Sequence, residues 1–587
     1  FFQAEDCIRD NLPGLEFSRV LFRSTSREKA HHFFRKGRYG GVCPNNPEYR
    51  EYVKINLQEL CRHYRYEGMF LDMPFWPEVC YCPSCKSRYL QETGREMPET
   101  VDWDDAVWLD FQYRRERWMG EFAAFSTACI KEVDSRITVE HNFAVAMFPW
   151  QFANSDLMMD ACDYAGGDYY GGYLQQTFAC KYYHNISPNL PFSYITSRCD
   201  PDLLHHTTTK TKEEFLLHSI TALVHNGAFS ICDGMNPDGT ICHEAYDVIK
   251  EVFDESCKYE KYVSGDMMSN VSIWFAGHSK FDRTDQGRPV KDAIVRADNI
   301  DSFSEGKIKM ASILREYNIP FDVVASRNLS GLKDDVLILS DVLSIRDDEM
   351  DSIEKYVMNG GNLYVSGHIG HPRLCGMLGV RPSGMTEHDF TYMVPTAEGS
   401  SFFRGFSERN PLTVIGRQQI VELIGDCSIL ATMTLPYTMT GTAQFSSIHS
   451  NPPGIHTEIP SILLRQTGKG RILWIAAPIE KSKPAMSRKV VANLVLSLCG
   501  EPKFWSNAPV TVEVVGWRKD GKRYLAAINQ QETSPVAPAF EITVDVPGRI
   551  NEAGLAGTKI VLPVEYLGGW SRISLPRLEI FHIIEIR

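Results

Sequence analysis

Five times before residue 270 a short apolar run closes on polar residues, usually after a helical stretch; a second strand–helix alternation follows, and turn-rich alternating strands end the chain. These observations predict an α/β protein: a (β/α)8 barrel unit truncated at its start, then a Rossmann/flavodoxin-like α/β domain, then a C-terminal β-sandwich. The expected segments are 1–24 (non-native), 25–265 (barrel), 266–501 (second α/β domain) and 502–587 (sandwich).

The barrel elements follow in order. Asn46-Pro47-Glu48 with Val53, Leu57, Leu60, Cys61 and Tyr64 predicts a capped helix from Pro47 into the mid-sixties. Gly68–Asp72 reads as a buried strand whose carboxylate emerges at a rim, and a helix from Trp108 to Val133 precedes the strand Ile137–Glu140. Asp163–Tyr170, Pro191–Arg198 and Ala228–Asp233 supply three more strands. An eight-stranded barrel then lacks about three strands, expected upstream of the sequence at hand. Phe1–Ser24 resembles translated adapter read-through from assembled environmental sequence and is set aside.

The second pattern has strands at Val271–Phe275, Phe321–Val324, Val336–Leu339, Leu363–Val365 and Ile472–Ile475, with a helix faced by Met350, Ile353, Tyr356 and Val357. At the strand end Gly367-His368-Ile369-Gly370-His371 neither Ser nor Cys occupies the position of a nucleophile elbow, so this domain is expected to be structural or oligomerising. The sandwich is expected from Val510–Val515, Tyr524–Ile528, Phe540–Val546 and Leu578–Ile586.

Composition narrows the function. The 587 residues are 43% hydrophobic and 23% charged with a net charge of -13, which leaves no basic surface for nucleic acid. No apolar run approaches the roughly 20 residues that cross a bilayer. Sixteen scattered cysteines suit reduced thiols or a metal site rather than a disulfide framework. A cytoplasmic location and self-association are expected.

Strand ends carry the candidate chemistry. Asp72, followed by Met73-Pro74-Phe75-Trp76, sets a carboxylate beside an aromatic wall, an arrangement suited to a sugar. Its alternative role is to cap the following loop. Glu140 is the expected proton donor, with Asp168 in its glycine-rich setting as rival. Trp76, His141, Asp168, Tyr169, Arg198 and Asp233 are expected around the substrate. For Asp233 a turn-capping role, for Arg198 the holding of a carboxylate, and for His141 a place behind the site stand as alternatives.

Cys80, Cys82 and Cys85 have the spacing of tetrahedral zinc ligands, and the topology selects Cys43 as the fourth. Cys43 precedes a helix and Cys80–Cys85 follow the next strand, which puts both loops on one face of a barrel, whereas Cys61 lies toward the other rim. A structural zinc is expected, and no cofactor for catalysis.

Cys43–Arg50, Phe70–Phe75, Cys80–Cys85 and Tyr194–Arg198 together resemble bacterial α-L-fucosidases of glycoside hydrolase family 151, from about Tyr39 onward. The resemblance implies a barrel, an amidotransferase-like domain and a β-domain, with fucosylated glycan as substrate. Asp72 in Leu71-Asp72-Met73 is similar to the nucleophile region of family 29 fucosidases, which implies a retaining mechanism. The four cysteines are similar in order and spacing to the zinc cluster of family 42 β-galactosidases, whose amidotransferase-like domain trimerises. β-Galactosidase is therefore the second reading, although the Asn-Glu pair of those enzymes is replaced here by Leu71-Asp72. A sugar-binding protein without a usable acid pair is the third.

Overall fold

The computed structural model describes residues 42–587 except 73, 77, 143–148, 170, 202, 204, 294–301, 440, 443–445 and 534. Phe1–Ser24, and with it the expected non-native segment, lies outside the described residues. Two compact units emerge: one runs to Asp163 and takes in Phe281–Asp301, the other comprises Tyr164–Lys280 and Ser302–Arg587.

In the first unit, α1 (Pro47–His63) is capped by the Asn46 side chain, which accepts from Tyr49 N, and Pro47 occupies a position whose missing N–H costs nothing. Strand β1 (Gly68–Leu71) leads to α2 (Pro83–Thr93), α3 (Ala106–Lys131) and β2 (Thr138–His141). β1 and β2 are parallel neighbours, with Phe70 opposite Glu140 and Leu71 opposite His141. Alternation sends Met69, Leu71 and Val139 toward α1 and α3, where they pack with Leu57, Cys129, Ile130 and Ile137. Phe70 and Glu140 take the other face.

Residues 281–293 belong with this unit rather than with the 266–501 segment. Val101 N–H bonds to Arg288 O, Gly287 N–H to Val101 O, and the Trp103 ring stacks on Phe281 at 4.8 Å.

In the second unit, β3 (Gly166–Asp168), β4 (Phe192–Ser197) and β5 (Gly227–Cys232) form a parallel three-stranded sheet. Helices α4 (Tyr173–Ile186), α5 (Lys212–Val224) and α6 (His243–Ser256) are interleaved with these strands in the chain. Phe229 and Ile231 of β5 pack with Phe215, Leu216, Ile249 and Val252 of α5 and α6. All five expected barrel strands form, as one parallel pair and one parallel triplet; no closed barrel is present among the described residues.

A nine-stranded sheet dominates the rest. Its parallel part runs Phe321–Val324, Val271–Trp274, Val336–Ser340, Asn362–Ser366, Gly470–Ile475, matching the five expected strands. Beyond it, Pro453–Thr467, Ser428–Pro436, Phe390–Pro395 and Leu412–Ile415 continue antiparallel, an extension absent from the expectation. The C-terminal part is a sandwich of a four- and a five-stranded sheet. Its core sets Leu525, Ala527 and Ile584 against Val544, Val546 and Ile573. One strand of the larger sheet, Asp266–Met268, pairs with Gly516–Arg518, so the sandwich recruits a strand from before residue 502.

Candidate active site and thiol cluster

Asp72 follows directly on β1 and is exposed. Backbone pairing continues past the strand, Asn142 N–H donating to Leu71 O at 2.9 Å, and the Asn142 side-chain amide donates to Asp72 Oδ1 at 2.7 Å. Glu140, two residues before Asn142, lies on the same side of the pleat by strand period. Asp72, Glu140 and Asn142 thus share one face of the β1–β2 pair, opposite the face that packs on α1 and α3. Asn142 was not among the anticipated site residues. The signal that finds it is the two-residue period running on from Glu140.

His141 points the other way. Thr127 Oγ1 of α3 donates to Ala161 O at 2.8 Å, which leaves its lone pair to accept the His141 Nε2–H at 2.9 Å. Burial pushes the imidazole down to about 4, so it is neutral and packs behind the strand instead of on the Asp72 face. Trp76 is likewise no open sugar platform. Only 2% exposed, it meets Trp118 edge to face at 6.3 Å and lies under the Arg115 guanidinium at 5.5 Å. Its neighbour Phe75 sits 4.9 Å from Phe152, so the aromatic run after Asp72 anchors the loop into the unit's own core.

In the second unit, Asp168 ends β3 opposite Ile195, partly exposed. Tyr169 turns to the helix side and stacks on Tyr194 at 4.4 Å, with Tyr183 of α4 edge-on at 5.3 Å. Arg198 and Asp233 are joined to each other: Arg198 Nε donates to Asp233 Oδ1 at 2.5 Å, Nη1 to Thr209 Oγ1 at 2.8 Å and Nη2 to His206 O at 2.7 Å. Asp233 Oδ1 also accepts from Gly234 N–H. This buried knot ties the loop after β4 to the end of β5 and turns the guanidinium inward.

The sulfurs of Cys43, Cys80, Cys82 and Cys85 lie within 4.8 Å of one another, all four residues buried. A tetrahedral zinc with Zn–S of about 2.3 Å sets its sulfurs about 3.8 Å apart. The donor set therefore fits such an ion, and Cys61 is outside it. Hydrogen bonds among the sulfurs, with burial behind them, push Cys43, Cys80 and Cys85 above the usual thiol range and Cys82 far below it. Four thiols so crowded share their protons, the condition that a cation relieves by taking thiolates. Cys82 also opens α2, and Gly94, at φ 70°, closes that helix in the left-handed region.

No helix among the described residues is long and apolar enough to cross a membrane. No protein-family model matches the chain, and no curated protein matches it. Solved structures do. The chain is similar to α-L-fucosidase isoenzyme 2 from Paenibacillus thiaminolyticus, at TM-score 0.71 and 19% identity over 94% of this chain and 82% of that one. It is similar to a β-galactosidase from Bacillus circulans sp. alkalophilus, at TM-score 0.69 and 14% identity over 97% and 86%. A catalytic mutant of a GH42 β-galactosidase from G. stearothermophilus matches at TM-score 0.68 and 13% identity over 97% and 86%. The chain therefore has the fold of these glycoside hydrolase structures.

Proposed function

We propose that the protein is a retaining exo-glycoside hydrolase that releases terminal α-L-fucose from glycans, of the family 151 type, with β1–β5 as strands of a (β/α)8 catalytic unit. The observation that carries this reading is the single face shared by Asp72, Glu140 and Asn142 at the ends of two parallel strands. Two residues of strand rise and one inter-strand spacing put the Asp72 and Glu140 Cα atoms about 8 Å apart. From there the carboxyl groups reach the separation of about 5 to 5.5 Å used by retaining pairs. Asp72 attacks the anomeric carbon while Glu140 protonates the departing oxygen; Glu140 then activates the water that hydrolyses the glycosyl-aspartate. The fold shared with a fucosidase supports the substrate class.

β-Galactosidase is the second reading, favoured by fold neighbours of that activity that cover 97% of this chain and 86% of theirs. Structural zinc in the cysteine cluster and self-association belong to the same proposal; the metal takes no part in the chemistry.

Hydrolysis of aryl α-L-fucoside and aryl β-galactoside by the wild-type chain separates the two enzymes. Asp72→Ala is expected to abolish turnover on the preferred substrate, and near wild-type activity of that variant would refute the assignment. Comparing Glu140→Gln with Asp168→Asn identifies the acid: the true one loses activity least on aglycones that leave without a proton.

A further inference from the structure

Asn142 combines two contacts that make it more than a neighbour of Asp72. Its backbone N–H is held by the ladder bond to Leu71 O, and its side chain is 4% exposed, so the direction of its amide is set by the strand pair. Asp72, by contrast, is exposed at the strand end, on a side chain whose last torsion the backbone does not set. The fixed donor meets Oδ1 of Asp72 at 2.7 Å.

A carboxylate presents two equivalent oxygens, and a substitution at carbon needs one of them in line with the departing bond. We infer that Asn142 is a positioning residue that breaks this equivalence: it claims Oδ1, holds the carboxylate plane and leaves Oδ2 as the attacking atom. The inference rests on the reading of Asp72 as nucleophile. In the first step an Oδ2 electron pair forms the bond to the anomeric carbon as the bond to the aglycone oxygen breaks, and that oxygen takes the acid's proton. Oδ1 becomes the carbonyl oxygen of a neutral ester and keeps its amide donor. In the second step water adds at the anomeric carbon, its proton goes to the carboxylate of the acid/base, and Oδ2 leaves as carboxylate, so charge returns to the group that Asn142 solvates. An amide suits the place because it does not titrate: the orientation is the same at every working pH, and the donor never protonates the nucleophile.

The test compares Asn142→Ala and the near-isosteric Asn142→Asp with wild type and Asp72→Ala, reading kcat and KM on aryl α-L-fucoside. Loss of the donor is expected to lower kcat/KM about tenfold to hundredfold, through kcat with KM little changed. Asn142→Asp should be affected at least as strongly as Asn142→Ala although its volume is kept. A fall in kcat/KM carried by KM alone, or an Asn142→Asp variant that behaves as wild type, overturns the inference while leaving Asp72 in place. Undiminished turnover by Asp72→Ala overturns the underlying reading instead. If Asn142→Ala does not fold, the kcat and KM of Asn142→Asp decide alone.

Discussion

Arg198 and Asp233 show how a polar residue at a strand end acquires its role. Both were expected near the sugar, with the holding of a carboxylate and the capping of a turn as their alternatives, and their side chains, 4% and 8% exposed and bonded to each other, take those alternative roles. The residue type at a strand end advertises chemistry, whereas the direction of the side chain depends on whether it falls on odd or even positions of the pleat. Arg198 stands in step with Phe192 and Tyr194, the positions of β4 that meet Tyr183 of α4 and His218 of α5, and it found a carboxylate there. Removing one partner leaves a buried charge, so Arg198→Met or Asp233→Ala should cost about 3 to 5 kcal/mol of stability. Urea unfolding reads this directly; a loss below about 1 kcal/mol would mean that the pair is open to water. The same parity argument turns His141 toward Thr127 and Tyr169 toward Tyr194, and adds Asn142 to the Asp72 face.

At the scale of elements, the loop between β1 and α2 is held at two points. Phe75 and Trp76 pack on Phe152, Trp118 and Arg115, and Cys80, Cys82 and Cys85 then gather with Cys43. This fastening sits only a few residues beyond Asp72 and limits how far the strand end can move. Zinc in the cluster would tie the segment before α1 to the one that opens α2, and on that proposal purified protein should carry about one equivalent of zinc per chain. Chelation, or Cys82→Ser, should lower Tm and speed proteolysis between Asp72 and Cys82, because the metal's binding energy is folding energy. Zinc below about half an equivalent after gentle purification would return the cluster to plain thiols. The helix positions and the Cys80, Cys82 and Cys85 run were legible because capping residues, the 3.6-residue period and ligand spacing are local signals, and Cys43 followed from the order of helix and strand. The antiparallel strands from Phe390 to Thr467 were not; in the pair Ser428–Pro436 and Pro453–Thr467, repeated register shifts blur the two-residue period.

At the scale of the molecule, chain order and spatial partnership part company. The C-terminal sandwich draws its strand Asp266–Met268 from just before the first strand of the nine-stranded sheet in the chain. Its buried Glu513 is met by Lys181 at 3.3 Å and by the Thr177 hydroxyl at 2.8 Å, both on α4. A fragment of residues 502–587 would lose an edge strand and bury or expose an unpaired carboxylate. It is therefore expected to be largely unfolded, as read by near-ultraviolet circular dichroism and amide exchange. A fragment with dispersed, protected amides would show that the sandwich is self-sufficient and that the boundary expected at residue 502 is a true one.

The sequence by itself determined the α/β class, the five parallel strands before residue 270, the parallel core of the second sheet and the four clustered cysteines, since local periods write the elements and the order of helix and strand brings Cys43 to the other three. Only the tertiary structure decided which side of each strand meets the helices, which acids lie open and which are tied inward, and which distant segment completes the sandwich. Those outcomes depend on register and on pairings between residues as far apart as Met268 and Gly516, where no local period reaches.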